Sequence, residues 1–167
     1  MKKFSLNQRI EIEKFPISQL SIVIEILKTY NCRSNEVLNA KWNNYFPNQF
    51  LILDGSKKSS NVIIRDRFIL SLIDNLPHFD SVLIFPSVSY NILYHHVKAY
   101  YSHLFVKFKK RKYFRVTHGF RYSAVSKLDN EEKIRDILHH RSVKSGKFYK
   151  SIKEVQNVPI KALKTRF

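Results

Sequence analysis

The sequence predicts a mostly helical α/β domain with a small antiparallel sheet, on three observations. Apolar residues make up 44% of the 167 residues and include 13 Phe and 9 Tyr, which is enough for one buried core. Helical patterns occupy both halves of the chain. Between them, two short apolar runs flank the polar segment DGSKKSS at 54–60, which is the pattern of a β-hairpin.

The first two predicted elements are helices. Ser18 can cap a helix over residues 19–30, because its hydroxyl can accept a hydrogen bond from a backbone N–H of the first turn. A short turn around Asn31 follows. Residues 34–41 then predict a second helix, which Ser34 opens.

The middle of the chain changes from helix to strand and back. The hairpin is predicted over 50–65, and a helix is predicted over 66–75. VLIF at 82–85 predicts a short apolar strand that Pro86 stops, because proline has no N–H to donate. A longer helix is predicted over about 88–106.

Two further helices are predicted near the C-terminus. Thr117 can cap one that runs to about residue 128, and Asp129 or Asn130 can cap another that ends near His139. Acidic residues in the first turn favour the second helix, because a helix N-terminus carries partial positive charge. The rest of the chain is basic and contains Tyr149.

The charge of the chain indicates a polyanionic partner. Thirty Lys and Arg against 13 Asp and Glu give a formal net charge of +17 and a pI near 10.0. Such an excess favours nucleic acid, with an anionic membrane surface as the alternative. No apolar run approaches the roughly 20 residues of a membrane span, and the N-terminus lacks the apolar segment of a signal peptide.

The cysteine and histidine content excludes several classes of site. The single cysteine, Cys32, excludes an intramolecular disulfide and a zinc site with several Cys ligands, and it fits a reduced cytoplasmic compartment. The adjacent pairs His95-His96 and His139-His140 do not suit chelation by themselves, because neighbours on a helix point about 100° apart. We therefore predict no metal site.

The strongest basic run is KFKKRKYFR at 107–115, where the cations lie among aromatic residues. Two interpretations stand: a solvated charged surface, or contact with the phosphate backbone of a nucleic acid. The cations are Lys107, Lys109, Lys110, Arg111, Lys112 and Arg115.

A second polar cluster follows that run. His118 and Arg121 are three residues apart, so on a helix they share one face. A His N–H and the planar fork of an Arg could bind a single anion there, although an ordinary exposed pair has the same spacing. His140 and Tyr149 are the next polar candidates along the chain.

Four segments together resemble the tyrosine recombinase and phage integrase family. NCRSNEVLNAKW at 31–42 resembles its first conserved box, and THGFR at 117–121 resembles its second. LHHRSVKSGKFY at 138–149 resembles the segment in which a histidine precedes the nucleophilic tyrosine by nine residues. SKKSSNVII at 56–64 resembles the hairpin that carries the catalytic lysine. The matched positions, in order, are Arg33, Lys57 (with Lys58 as the alternative), His118, Arg121, His140 and Tyr149.

The resemblance implies a site-specific recombinase that cleaves and rejoins double-stranded DNA without a cofactor. Tyr149 would attack a phosphodiester and form a 3′-phosphotyrosyl intermediate, so that one difficult step becomes two easier ones. Lys57 would protonate the leaving 5′-oxygen. His118 would assist removal of the proton from Tyr149.

The remaining matched residues imply a binding site for the scissile phosphate. Arg33 and Arg121 would hold its non-bridging oxygens, and His140 would donate a hydrogen bond to it. The family fold would be the tyrosine recombinase catalytic domain. Self-association on DNA as a dimer or tetramer is also implied, as is a cytoplasmic, nucleoid-associated location.

The resemblance covers residues 18–150, the expected catalytic domain. Residues 1–17 are expected to form an arm. Residues 151–167 are expected to form a tail that docks on a neighbouring protomer or stays solvated. Too few residues precede the first box to form the DNA-clamping domain of most family members, so we expect a catalytic fragment or a minimal recombinase.

The chain departs from the family at two glycines. Asn31 replaces the glycine of the first box, a mild change because Asn tolerates the left-handed backbone region. His139 replaces the glycine before His140, and its bulk is expected to alter the turn or to add a phosphate contact.

Two alternatives to the recombinase prediction remain. The first is another DNA strand-transfer enzyme, similar to a telomere resolvase or a type IB topoisomerase. The second is a regulatory or architectural DNA-binding module whose active site is idle. The expected setting is a mobile element, including its integration, since the richness in Lys, Asn, Ile, Phe and Tyr hints at an AT-rich genome.

Overall fold

The computed structural model describes residues 18–56, 59–77, 81–101, 118–125 and 127–144. The described part of the chain is mostly helical with one small antiparallel sheet, as the sequence predicts. None of its helices is long and apolar enough to cross a membrane. The elements are α1 (Gln19–Tyr30), α2 (Ser34–Leu38), a 3₁₀ helix (Trp42–Asn44), β1 (Tyr45–Phe46), β2 (Phe50–Leu53), β3 (Val62–Ile64), α3 (Arg67–Asp74), α4 (Tyr90–Tyr100), α5 (Gly119–Val125) and α6 (Glu131–Ile137).

Helix α1 is the central element of the core and begins and ends as predicted. The Ser18 hydroxyl accepts a hydrogen bond from the backbone N–H of Ser21 at 3.2 Å, and Asn31 ends the helix in the left-handed region with φ 53°. The helix packs against α2, α3 and α5. These contacts hold α1 in place. Arg33 lies three residues after its last residue, Tyr30.

The predicted hairpin is confirmed. β2 and β3 pair antiparallel, with Leu51 opposite Ile64 and Leu53 opposite Val62. These four side chains are buried, while Ile63 between them is 45% exposed, so the strands alternate between the core and the outer face. β1 adds a short third strand that the sequence did not predict.

The strand predicted at 82–85 is wrong. This segment makes only an isolated bridge between Lys41 and Leu83, with a backbone bond from Ile84 to the carbonyl of Ala40. Its partner segment turns into the 3₁₀ helix directly after Lys41, so the ladder has no second strand along which to extend.

Three predicted helices are shorter than expected within the described residues. α5 ends at Val125, where the sequence predicts about 128. α2 ends at Leu38, where the sequence predicts 41, and the following turn is closed by a bond from the N–H of Ala40 to the carbonyl of Val37. α4 spans Tyr90–Tyr100, and the part of the predicted helix beyond 101 lies outside the described residues.

The last two helices carry a small core of their own. Asn130, not Asp129, caps α6, because its side chain accepts bonds from the N–H groups of Glu132 and Lys133. Thr117, the predicted cap of α5, lies outside the described residues. Phe120 on α5 packs in the main core, so α5 joins the two clusters. The small core contains Tyr122, Val125, Ile134 and Leu138.

Candidate active site

Arg121 lies at the junction of the two cores and is only 1% exposed. Its Nη1 donates to the carbonyl of Asn31, at the end of α1. Its Nη2 donates to the carbonyl of Leu138 at 2.9 Å and lies 2.9 Å from Nε2 of His140. One guanidinium therefore connects the first box to the turn that follows α6.

That connection runs between two left-handed turns. Asn31 has φ 53° and His139 has φ 55°, the backbone region in which glycine has no steric cost. These are the two positions where the resemblance expects glycine. The His139 ring donates from Nε2 to the carbonyl of Tyr30 at 2.9 Å. The histidine therefore keeps a glycine-like turn and adds a bond between α1 and the turn.

His140 is buried, and its contact with Arg121 determines which ring nitrogen carries the proton. A guanidinium only donates, so Nε2 of His140 must accept from Arg121 and the ring proton must be on Nδ1. Burial lowers the pKa of His140 to about 4, and the positive charges of Arg121 and Arg33 lower it as well. His140 is therefore neutral near neutral pH, with a donor at Nδ1.

Arg33 is held by a carboxylate. Its Nη1 lies 3.0 Å from Oε1 of Glu36, and its backbone N–H donates to Oε2 at 2.7 Å. The hydroxyl of Ser59 also donates to Oε1, at 2.6 Å. Burial raises the pKa of the Glu36 carboxyl, but these hydrogen bonds and the charge of Arg33 outweigh burial and bring it below its usual value. Glu36 therefore stays ionised between Arg33 and the hairpin.

Ser59 is bonded back to Ser56, across the two lysine positions of the hairpin. Its N–H donates to the carbonyl of Ser56 at 2.9 Å, and its hydroxyl accepts from the N–H of Ser56 at 2.8 Å. A Cβ on Gly55 would lie 2.5 Å from the Ser59 carbonyl oxygen, so only glycine fits there. The two predicted lysines, Lys57 and Lys58, lie outside the described residues. The structure describes the two residues that flank them.

The turn after α6 pairs with the return strand of this hairpin. Ser59 and His140 form an antiparallel bridge, and the N–H of Ser60 donates to the carbonyl of His139 at 2.9 Å. Nε of Arg141 donates to the carbonyl of Ser59 at 3.1 Å. The hairpin, the first box and the segment that contains His140 are thus joined by direct contacts.

His118 opens the segment that contains α5, and it is partly exposed. Its ring centroid lies 6.5 Å from that of Tyr122. Tyr149 and the basic run at 107–115 lie outside the described residues. Of the predicted site, the structure brings Arg121 and His140 into direct contact, and it links Arg33 to them through Glu36 and through Ser59, which bridges to His140.

The spacing of Glu36 from Arg33, three residues along a helix start, allows an ordinary ion pair between them, and the structure contains that pair. Sequence reasoning assigned no role to two further residues of this assembly. Ser59 and Arg141 gave no such signal, because their contacts join residues 23 and 82 positions apart in the chain.

No protein-family model and no curated protein matches the sequence. Solved recombinase structures do match the fold. A XerH site-specific recombinase bound to a palindromic difH substrate, in a post-cleavage complex, has 19% identity and a TM-score of 0.56, and the match covers 89% of this chain and 48% of that one. The XerH recombinase in its pre-cleavage complex with difH has 18% identity and a TM-score of 0.53. That match covers 95% of this chain and 53% of the XerH chain. The XerA recombinase has 16% identity and a TM-score of 0.52, and the match covers 89% of this chain and 60% of the XerA chain.

These matches are to part of each recombinase, since this chain spans 48% to 60% of their lengths. At identities below 20% they establish the fold. Together with the helices, the three-stranded sheet and the site that they position, they lead to one conclusion. The chain has the fold of a tyrosine recombinase catalytic domain.

Proposed function

We propose that this chain cleaves and rejoins DNA strands through Tyr149, as a site-specific recombinase of the tyrosine family. The observation that carries the proposal is the buried contact between Arg121 and His140, close enough to Arg33 for its charge to act on the same imidazole. Two permanent cations and a neutral imidazole donor suit the oxygens of a phosphodiester. They occupy three of the positions at which the sequence resembles the family.

The proposed cleavage step balances in bonds and protons. The Tyr149 oxygen attacks phosphorus, a P–O bond to tyrosine forms, and the bond from phosphorus to the 5′-oxygen breaks. His118 assists removal of the tyrosine proton, and Lys57 supplies a proton to the leaving 5′-oxygen. A 5′-hydroxyl of another strand then reverses the step, so no nucleotide cofactor is required.

The phosphate-binding role follows from the donors at the site. Both Nη atoms of Arg121 are engaged, whereas its buried Nε has no hydrogen-bond partner in the described part of the chain. Leaving a buried donor unpaired costs about 1–3 kcal/mol. A phosphate oxygen placed beside Arg121 and the Nδ1–H of His140 would satisfy it, and would gain charge-assisted hydrogen bonds from both.

Double-stranded DNA is the proposed partner. The net charge of +17 supplies cations for phosphate contacts, which give most of the affinity and little of the sequence specificity. We propose that Lys58 and the basic run at 107–115 contribute these cations.

We also propose that residues 18–150 act as the catalytic domain and that the protein acts on DNA in the cytoplasm. In this proposal it self-associates there through the tail at 151–167. Integration of a mobile element is the setting we propose.

The test is covalent capture of DNA. The protein is incubated with a pool of nicked duplexes of random sequence, in which cleavage next to the nick releases a short fragment and traps the intermediate. We expect an adduct that survives denaturation, with a common DNA sequence attached to Tyr149. Tyr149→Phe should give none, whereas Tyr90→Phe, an exposed tyrosine on α4, should be unaffected. An adduct formed by Tyr149→Phe would overturn the assignment, and binding without any adduct would favour an idle DNA-binding module.

A further inference from the structure

We infer that Arg141 is a positioning residue for the general acid of strand cleavage. In this inference, its bond to the Ser59 carbonyl holds the hairpin turn that carries Lys57 against the turn that carries His140. The inference rests on the proposed function, in which Lys57 protonates the leaving 5′-oxygen and His140 contacts the phosphate.

Among the described residues, two hydrogen bonds join the hairpin to the turn after α6, and Arg141 makes the one that comes from a side chain. The other is the backbone bond from the N–H of Ser60 to the carbonyl of His139, which belongs to the bridge between Ser59 and His140. Arg141 is itself exposed and contributes little to the core. Its 3.1 Å bond therefore acts on the geometry of the site more than on the stability of the fold.

The Arg141 bond is made to Ser59, the first described residue after the two lysine positions. Ser59 is also bonded to Ser56 on the other side of those positions, and its hydroxyl donates to Glu36, the partner of Arg33. In this inference, a shift of the Ser59 carbonyl displaces Lys57 relative to Arg33 and His140. A displacement of about 1 Å in a catalytic group can cost about 100-fold in rate.

Arg141 could instead contact DNA phosphate with the part of its guanidinium that does not bond to Ser59. That role would affect DNA binding or phosphate activation whatever the leaving group is. A positioning role that acts through Lys57 would affect only the steps in which the leaving atom needs a proton. The leaving group therefore separates the two roles.

The experiment compares two versions of the duplex recovered from the random pool. One has the natural 5′-oxygen at the scissile bond, and the other has sulfur at that bridging position. A leaving thiol has a pKa of about 8.5 and departs as thiolate without a proton donor, whereas an alkoxide needs one. Single-turnover adduct formation is measured at saturating protein for Arg141→Met, which keeps the chain length and loses the donors. Arg67→Met removes an exposed arginine at the start of α3 as the matched control.

We expect Arg141→Met to slow cleavage of the oxygen substrate by about tenfold or more, and cleavage of the sulfur substrate by less than about threefold. Lys57→Met should show the same pattern with a larger loss, and Arg67→Met should match the unaltered protein on both. Equal slowing of Arg141→Met on both substrates, or no slowing on either, would overturn the inference and leave the proposed function standing. Failure of the unaltered protein to cleave either duplex would overturn both.

Discussion

The two arginines of the site are held in opposite ways. Arg33 has a side chain that is 24% exposed and is paired with the Glu36 carboxylate. Arg121 is 1% exposed and is held by the carbonyls of Asn31 and Leu138 and by the imidazole of His140. Within the described residues, one cation is neutralised by an anion and the other is surrounded by neutral acceptors.

Under the proposed function, the difference gives the two arginines different tasks. Neutral acceptors fix the direction of the Arg121 guanidinium and leave its charge uncompensated, so a phosphate bound beside it would experience the full positive charge. The Glu36 carboxylate fixes Arg33 at the expense of part of its charge, and it links Arg33 to Ser59 and the hairpin. In the proposed function, Arg121 is therefore mainly a buried electrostatic centre, and Arg33 joins the first box to the hairpin through Glu36 and Ser59.

The largest expected effect comes from removing each guanidinium in turn. Arg121→Met should lower the free energy of unfolding by about 3 kcal/mol, because two buried carbonyls and a buried imidazole nitrogen lose their donor. Arg33→Met should lower it by about 1 kcal/mol, because that ion pair is partly solvated. Both variants should lose adduct formation. Urea unfolding of the two variants measures the difference, and equal losses of stability would show that the two arginines are held alike.

A second expected effect tests the carboxylate that holds Arg33. Glu36→Gln should lower the free energy of unfolding by about 2 kcal/mol, because one acceptor of the buried carboxylate becomes a donor that faces other donors. Ser59→Ala removes one bond to that carboxylate and also the acceptor for the N–H of Ser56, so it should cost a similar amount. The measurement is again urea unfolding. A Glu36→Gln variant as stable as the unaltered protein would mean that Arg33 and the hairpin do not depend on this charge.

As the pH falls, the contacts that hold the two arginines should weaken in different pH ranges, because His140 and Glu36 are protonated at different pH values. The folded pKa of His140 is lowered to about 4 from 6.5, so its contribution is fully present above pH 6.5 and is lost as the pH falls toward 4. The folded pKa of Glu36 is lowered from 4.5, so its contribution is present above pH 4.5 and is lost as the pH falls further. The Arg121 side of the site should therefore weaken first.

The variant His140→Gln tests the first window, because an amide oxygen can accept from Arg121 and does not titrate. Between pH 6.5 and 4 the unaltered protein should lose about 1 kcal/mol relative to this variant, after allowance for solvent screening. Thermal unfolding across that range measures it. Parallel profiles for the two proteins would show that His140 is not held neutral by its surroundings.

The sequence predicted the parts of this comparison that depend on local spacing. Arg33, Arg121 and His140 were identified from their motifs, and the helices and the hairpin around them follow from caps and periodicity. The way each arginine is held could not be predicted, because Arg121 reaches the Asn31 carbonyl across 90 positions of the chain. The strand predicted at 82–85 failed for a related reason, since a strand needs a partner that the local pattern does not reveal.

The smallest expected effect concerns the left-handed turn beside Arg121. His139→Gly removes the strain of a side chain at φ 55°, worth about 1 kcal/mol, and also removes the bond to the Tyr30 carbonyl, worth a similar amount. The free energy of unfolding should therefore change by less than about 0.5 kcal/mol. His139→Ala keeps the strain and loses the bond, so it should be less stable than the glycine variant by about 1 kcal/mol. If the two variants are equally stable, backbone strain does not govern this turn. If both are far less stable than the unaltered protein, the ring contact to α1 is a main support of the Arg121 side of the site.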